Sequence, residues 1–320
     1  MSTGAGSDQG SSDRGPTYTA PWWLPGGHLQ TIVAALLPAP RIAWKRERWE
    51  TPDGDFIDLD SVGTDGPLIA LFHGLEGSSS SPYARAIAAQ ALAMGWRCVV
   101  PHFRGCSGEL NRLPRAYHSG DSEEIAWVLD LLSRKNEKLL GCGISLGGNA
   151  LLKYLGEQGN AASVQKAVAI SAPLDLAAAG RNLDAGLSRE IYTRIFLRTL
   201  KKKTFEKIRQ QRISVDAPRL ERARTFWEFD DTVTAPLHGF LGADDYWARS
   251  SSGPWLAGIR VPTLVLNARN DPFLPESALD ALGEVPANVM LEFPRTGGHA
   301  GFPGRNHWLA RRVLEFLSAP

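Results

Sequence analysis

The chain has 320 residues, 43% hydrophobic and 22% charged, with 35 Lys and Arg against 34 Asp and Glu for a formal net charge of +1. That length and apolar content suffice for a large α/β core, and the near-zero charge argues against a nucleic-acid binder, whose footprint is a strong basic excess. No apolar run is long enough to predict a transmembrane segment, and three cysteines without metal-ligand spacing, Cys98, Cys106 and Cys142, suit a reducing, cytoplasmic setting.

In chain order, residues 1–17 are rich in Gly, Ser and Asp and lack the apolar stretch of a signal peptide. They predict a disordered tail ahead of one domain spanning 18–320. The aromatic, proline-fixed stretch from Pro21 to Ile32 reads as packing at the core edge rather than along the mouth of a site. Strands are predicted at Ile42–Glu50 and Asp55–Val62, an antiparallel meander turned by Pro52-Asp53-Gly54. Further strands follow at Leu68–Phe72, Cys98–Pro101, Leu139–Ile144, Ala167–Ser171, Pro262–Leu266 and Val289–Phe293. From the third onward helices alternate with strands, which implies parallel crossovers. Between Pro173 and Pro262 the alternation stops. Leu176–Asp184, Arg189–Gln211, Pro218–Val233 and Gly242–Arg249 read there as helices rich in Arg, Lys and aromatics, a helical cap over about 174–258 inserted after strand six. Lys201-Lys202-Lys203 reads as a solvated helix face, and the aromatics of the cap together suggest an apolar acyl or alcohol site.

Chemistry centres on Gly143-Ile144-Ser145-Leu146-Gly147, a Gly-x-Ser-x-Gly pattern between a buried strand and an apolar helical stripe starting near Asn149. A sharp strand-to-helix turn there would lift the Ser145 hydroxyl clear of the sheet. Asp271, in Asn270-Asp271-Pro272-Phe273, and His299, in Gly297-Gly298-His299-Ala300-Gly301, follow after the seventh and eighth strands. The order serine, acid, histidine is that of α/β-hydrolases and excludes the chymotrypsin and subtilisin orders. The alternatives are an Asp-Pro turn starter and a loop histidine. His307 is the rival base, but it opens the last helix, where the dipole disfavours an imidazolium. The backbone N–H groups of Leu146, after the serine, and Leu75, in the loop after strand three, are the expected oxyanion donors. His73 reads as structural, and Arg104 as a brace for loop carbonyls.

Several tracts carry a resemblance: Trp23-Leu24-Pro25-Gly26-Gly27-His28-Leu29-Gln30-Thr31, His73-Gly74-Leu75-Glu76-Gly77, Phe103-Arg104-Gly105-Cys106-Ser107-Gly108, Tyr117-His118-Ser119-Gly120, Gly143 to Asn149, Asn270 to Phe273, and Gly298 to Phe302. They run in order from about Trp22 to the C-terminus. The chain resembles the YheT-like esterases, a branch of the α/β-hydrolase superfamily related to mammalian abhydrolase-domain lipases. The resemblance implies an α/β-hydrolase fold, with a mostly parallel eight-stranded sheet flanked by helices. It also implies a charge relay of Ser145, Asp271 and His299, and hydrolysis of short- to medium-chain acyl esters without a cofactor, lipid esters included. Acyltransferase relatives carry an aspartate four residues after the histidine, where this chain has Pro303.

The functional expectation is therefore a serine carboxylic-ester hydrolase acting on a small-molecule acyl ester through an acyl-enzyme. The alternatives are acyl transfer or phospholipase action on lipid esters, and a non-catalytic binding protein on a hydrolase scaffold. The histidines lack His-x-x-x-His spacing and the glycines do not fit Gly-x-Gly-x-x-Gly, so neither a metal nor a dinucleotide is expected. Dehalogenase or epoxide-hydrolase chemistry would need a carboxylate where Ser145 stands.

Overall fold

The computed structural model describes residues 18–210, 212–304 and 307–320. The tail expected over 1–17 and the expected helix end at Gln211 lie outside the described residues. Eight strands form one sheet: β1 Lys45–Glu50, β2 Phe56–Val62, β3 Leu68–Phe72, β4 Arg97–Pro101, β5 Leu139–Ile144, β6 Lys166–Ile170, β7 Thr263–Leu266 and β8 Val289–Glu292. Their spatial order is β1-β2-β4-β3-β5-β6-β7-β8. The pairings β1 with β2 and β2 with β4 are antiparallel, and every later pairing is parallel. The expected strands are all present: Leu68–Phe72 and Leu139–Ile144 have the expected bounds, and the others differ by at most three residues at either end.

The parallel strands read as unbroken apolar runs because helices cover both faces. In β3, Ile69 and Leu71 join the core on one face, and Leu68, Ala70 and Phe72 the core on the other. Complete burial of a side chain such as Leu71 or Phe72 contributes about 1.5–3 kcal/mol. The edge strand β1 is charged and largely exposed, which protects it from pairing with another chain. Its Arg46 and Arg48 pair across the register with Asp60 and Asp58, each at 2.7 Å.

Helices α1 Gly27–Leu36, α2 Pro82–Ala93, α3 Ser122–Ser133, α4 Leu146–Gln158, α12 Glu276–Asp280 and α13 Trp308–Ser318 belong to the sheet layers. Between β6 and β7 lie α5 Leu176–Leu183, α6 Gly186–Ser188, α7 Arg194–Arg209, α8 Ala217–Arg222, α9 Phe226–Phe229, α10 Ala235–His238 and α11 Ala243–Ser250. Two expected helices here are not continuous. Arg189–Thr193 widens into a π-helical turn before α7, and the expected Pro218–Val233 helix divides into α8, α9 and a second π-turn at Asp230–Thr234. Among the described residues no helix is long and apolar enough to cross a membrane.

Register aligns the carboxyl ends of the central strands: Phe72 opposes Gly143, Ile144 opposes Ile170, Ile170 opposes Leu266, and Leu266 opposes Glu292. The loops after β3, β5, β7 and β8 therefore emerge along one edge, where open α/β sheets bind ligands.

Candidate active site

Ser145 joins β5 to α4 with φ 54° and ψ −120°, a conformation costing a non-glycine residue on the order of 1–3 kcal/mol. It is held by its N–H, which donates to Ile170 O at 2.8 Å, and by its carbonyl, which accepts from Asn149 N at 2.9 Å. The flanking glycines are required sterically. A Cβ at Gly143 would sit 2.5 Å from Gly147 O, and one at Gly147 would sit 2.4 Å from Phe72 O.

The structure brings the three expected side chains together. His299 Nε2 lies 2.9 Å from Ser145 Oγ, and His299 Nδ1 lies 2.9 Å from Asp271 Oδ2. The Asp271 side chain is almost wholly buried. Its Oδ1 also accepts from Phe273 N at 2.7 Å, which fixes the carboxylate plane. The Phe273 ring stacks on the imidazole at 3.7 Å between centroids, leaving one face of His299 without water. His307 lines an outer groove that also reaches Ser145 and His299, but among the described residues its ring makes no hydrogen bond to Ser145 or Asp271.

The stretch from Pro21 to Ile32 does more than pack against the core edge. Its second half is α1, whose buried Gln30 and Thr31 hold the histidine loop. Thr31 Oγ1 accepts from His299 N at 2.8 Å, and Gln30 Oε1 accepts from Gly297 N at 2.8 Å and from Asn270 Nδ2 at 2.9 Å. Asn270 Oδ1 in turn accepts from Gly298 N at 3.0 Å. A Cβ at Gly27 would lie 1.8 Å from Asn270 O, so α1 reaches the acid loop only because position 27 is glycine. The sequence signal for this role is a Gly-Gly pair followed by two polar residues inside an apolar run.

The loop after β3 places Gly74 beside the serine, where an added Cβ would be 3.2 Å from Ser145 Cβ. Its neighbours are tied down: Gly74 N donates to Tyr83 Oη and Glu76 N to Tyr117 Oη, both at 2.9 Å. Between them, Leu75 N has no acceptor among the described residues, and neither has Leu146 N at the start of α4. Both leucines line the cavity that contains Ser145 and His299. Glu76, with φ 56°, accepts at Oε1 from Tyr117 Oη and from Lys203 Nζ, each at 2.8 Å. Lys203 thus points inward from α7 onto this loop, and Lys201 Nζ caps the carbonyls of Glu221 and Ala223, so the lysine run is not simply a solvated face. His73 is structural: it accepts Phe103 N at Nε2, and burial pushes it down to about 3, so it is neutral. Arg104 is buried and binds the carboxylates of Glu124, Asp53 and Asp55 at 2.5, 2.8 and 3.2 Å rather than loop carbonyls, because the β1–β2 turn and the first turn of α3 bring three acids within its reach.

The helices between β6 and β7 roof a largely apolar cavity whose walls include Leu176, Phe196, Phe226 and Trp247. Lys207 anchors this roof: its buried Nζ donates to three carbonyls, those of Leu113, Pro114 and Arg115, and burial lowers it to about 8. Asn149 on α4 holds the other side through Ser119 O, Ser250 O and Ser252 N. Asp230 also faces the cavity, and burial raises it to about 7 although Thr234 Oγ1 and Trp247 Nε1 donate to it. Among the described residues no cluster of His, Cys, Asp and Glu is arranged to hold a metal ion.

A family model described as alpha/beta hydrolase fold matches residues 67–305. YheT of Escherichia coli (strain K12), a protein that carries an esterase's name, is 37% identical over 91% of this chain and 90% of its own length. Human phospholipase ABHD3 is 28% identical over 95% of this chain and 79% of its own. An esterase structure from Exiguobacterium antarcticum superposes with a TM-score of 0.57 at 17% identity, covering 85% of this chain and 99% of that one.

Proposed function

This chain belongs to the alpha/beta hydrolase fold family, in its YheT-like esterase branch, and from that premise we propose that it is a serine carboxylic-ester hydrolase with Ser145, His299 and Asp271 as its catalytic triad. The observation that carries this reading is the unbroken hydrogen-bonded chain from Asp271 through His299 to Ser145. Ser145 Oγ attacks the ester carbonyl while His299 Nε2 takes its proton, and Asp271 holds the Nδ1–H tautomer and stabilises the imidazolium. The Leu75 and Leu146 N–H groups receive the oxyanion, each worth about 2.7–4 kcal/mol at the transition state. Collapse of the tetrahedral intermediate breaks the ester C–O bond, and His299 returns its proton to the leaving alkoxide. Water, deprotonated by the same imidazole, then cleaves the acyl-enzyme and releases the acid.

The helices of 174–258 act in this reading as a cap, and the apolar walls they supply favour short- to medium-chain acyl groups. The same walls and the likeness to human phospholipase ABHD3 favour a lipid ester as the second reading. A fluorophosphonate probe should label wild type and not Ser145→Ala, with p-nitrophenyl butyrate turnover lost by orders of magnitude in the variant. Unchanged turnover in Ser145→Ala would sink the assignment. An acyl-length series then separates the two readings, and product analysis with an added alcohol acceptor detects acyl transfer.

A further inference from the structure

Residues 18–40 contain no Asp, Glu, Lys or Arg, yet much of this segment is on the surface. Trp22 and Trp23 occupy the tip of a turn closed by Leu24 N donating to Pro21 O at 2.9 Å, and Trp22 is 92% exposed. On α1, Leu29 and Leu36 lie seven residues apart on one face, with Leu36 77% exposed. Across a groove from α1 stand Ile191 and the exposed Ile195, four residues apart and on one face of the π-turn and α7. Monomer surfaces rarely expose so many large apolar side chains along one short segment, here Trp22 to Leu36, and along the groove that Leu36 shares with Ile191 and Ile195, without a partner. The groove between these rims runs down to Ser145 and His299 on the side away from the roofed cavity.

Beside the apolar face of α7 lies a basic one. Arg194, Arg198 and Lys201 follow at helical spacing, and Arg189 and Arg224 adjoin them, with Glu190 as the one acid lining that depression. None of these five cations is paired with a carboxylate among the described residues. Two tryptophans at a turn tip, an uncharged amphipathic helix and a flanking row of cations without carboxylate partners, of which Lys201 and Arg224 donate to the carbonyls of Glu221 and Ala223, form the combination that partitions into an anionic bilayer surface: the rings seat at headgroup depth and the cations meet lipid phosphates. A second copy of this chain is a poorer occupant, because a twofold interface on this patch would bring the same cations close together.

We propose that the surface formed by the Trp22–Trp23 turn, the outer face of α1 and the Ile195 side of α7 docks on anionic lipid membranes. The outer groove then lets an ester pass from the lipid layer to Ser145 without crossing water. The docking is independent of the esterase assignment, whereas the route to Ser145 rests on it.

Flotation of the purified protein with vesicles of phosphatidylcholine alone, or mixed with phosphatidylglycerol, tests the docking. Wild type and Ser145→Ala should float with the anionic vesicles and much less with the neutral ones, and high salt should release them. Arg198→Glu should lower partitioning by well over the roughly fivefold expected for loss of one basic residue, and Trp22→Ser should lower it at every salt concentration. Both variants should keep wild-type turnover of p-nitrophenyl acetate in solution. Wild type that turns over ester but does not float overturns the docking, as does equal flotation of Trp22→Ser, or a dimer that Trp22→Ser dissociates without vesicle binding. Flotation with no esterase activity overturns only the function proposed above.

Discussion

Thr31 Oγ1 accepts the backbone N–H of His299 at 2.8 Å while donating to Gly27 O at 2.7 Å. A helix from one end of the chain thereby fixes the height of the imidazole carried near the other end. The pair spans 268 positions in sequence. Neither group would touch the reacting atoms of the proposed triad, so the role proposed for Thr31 is to position His299. Thr31→Ala should reduce kcat about fivefold to tenfold with little change in KM, since a lost hydrogen bond of this kind is worth about 1 kcal/mol. Thr31→Ser should restore it. A change in KM alone would argue against positioning.

Gly27 tests the same contact by bulk. Its Cβ would lie 1.8 Å from Asn270 O, a backbone atom that cannot yield without moving the Asp271 loop. Gly27→Ala should lower the melting temperature and remove most of the esterase activity together. Gly283→Ala, where an added Cβ meets nothing within 4 Å, should stay within about 0.5 kcal/mol of wild type. Thermal melts and p-nitrophenyl butyrate assays on the two variants decide it.

Tyr117 Oη both accepts Glu76 N and donates to Glu76 Oε1. Glu76 is strained at φ 56° and directly follows Leu75. Tyr117→Phe leaves the ring stacked on Phe103 but frees the loop that presents the Leu75 N–H. The expected result is a fall in kcat of about tenfold at nearly constant KM, with a smaller effect from Lys203→Met. Equal loss of ground-state binding, read as a rise in KM, would place the effect in the cavity wall instead.

Arg104 holds three carboxylates, two of them in the interior, with its own side chain 4% exposed. Arg104→Met fills much of the same volume and leaves Glu124 and Asp55 without their cation. Breaking a buried pair in this way costs about 3–5 kcal/mol. Denaturant titration should show that loss, and retention of full stability would mean that the carboxylates find protons or water cheaply.

Asp230 has its pKa raised from 3.8 to about 7, chiefly by burial, with the neighbouring Asp184 adding to the effect. The folded protein therefore binds more protons here than the unfolded chain does. Stability from this group is fully present below the ordinary value, declines as pH rises from 3.8, and is gone above about 7. Glu124 is displaced in the same direction, so wild type carries both contributions. Asp230→Asn removes one of them, and its melting temperature relative to wild type should climb across that window. A difference that stays flat with pH contradicts the raised value.

The sheet was legible because burial on both faces turns strands such as Leu68–Phe72 and Leu139–Ile144 into continuous apolar runs, and no helix imitates them at that length. The elbow was legible because its two glycines are imposed by close backbone contacts, Gly143 by Gly147 and Gly147 by Phe72, and so stand in the sequence as a fixed pattern. The expected Pro218–Val233 helix fared worse: a capping box of Thr225 and Glu228 restarts it as α9, and Asp230–Thr234 widens to a π-turn that places Asp230 against Trp247 of α11, a contact the segment itself does not announce. Arg104 and Lys203 were misread for a related reason. A cation's partner is chosen by what the fold brings near it, and Glu76 and Lys203 are 127 positions apart. The Gln30 and Thr31 contacts were invisible as bonds, although their tract stood out as an unusual string.

The clasp of Gln30 and Thr31 on the histidine loop also orders events in time. A ribosome delivers α1 well before the loop carrying His299, which follows all eight strands, so most of the sheet can assemble while the partner of α1 is still unmade. A nascent or prematurely terminated chain would present an elbow serine with no base above it. On the proposed triad, ester cleavage is thus withheld until α1 and the histidine loop have met, so catalytic competence doubles as a signal that the whole sheet has been assembled.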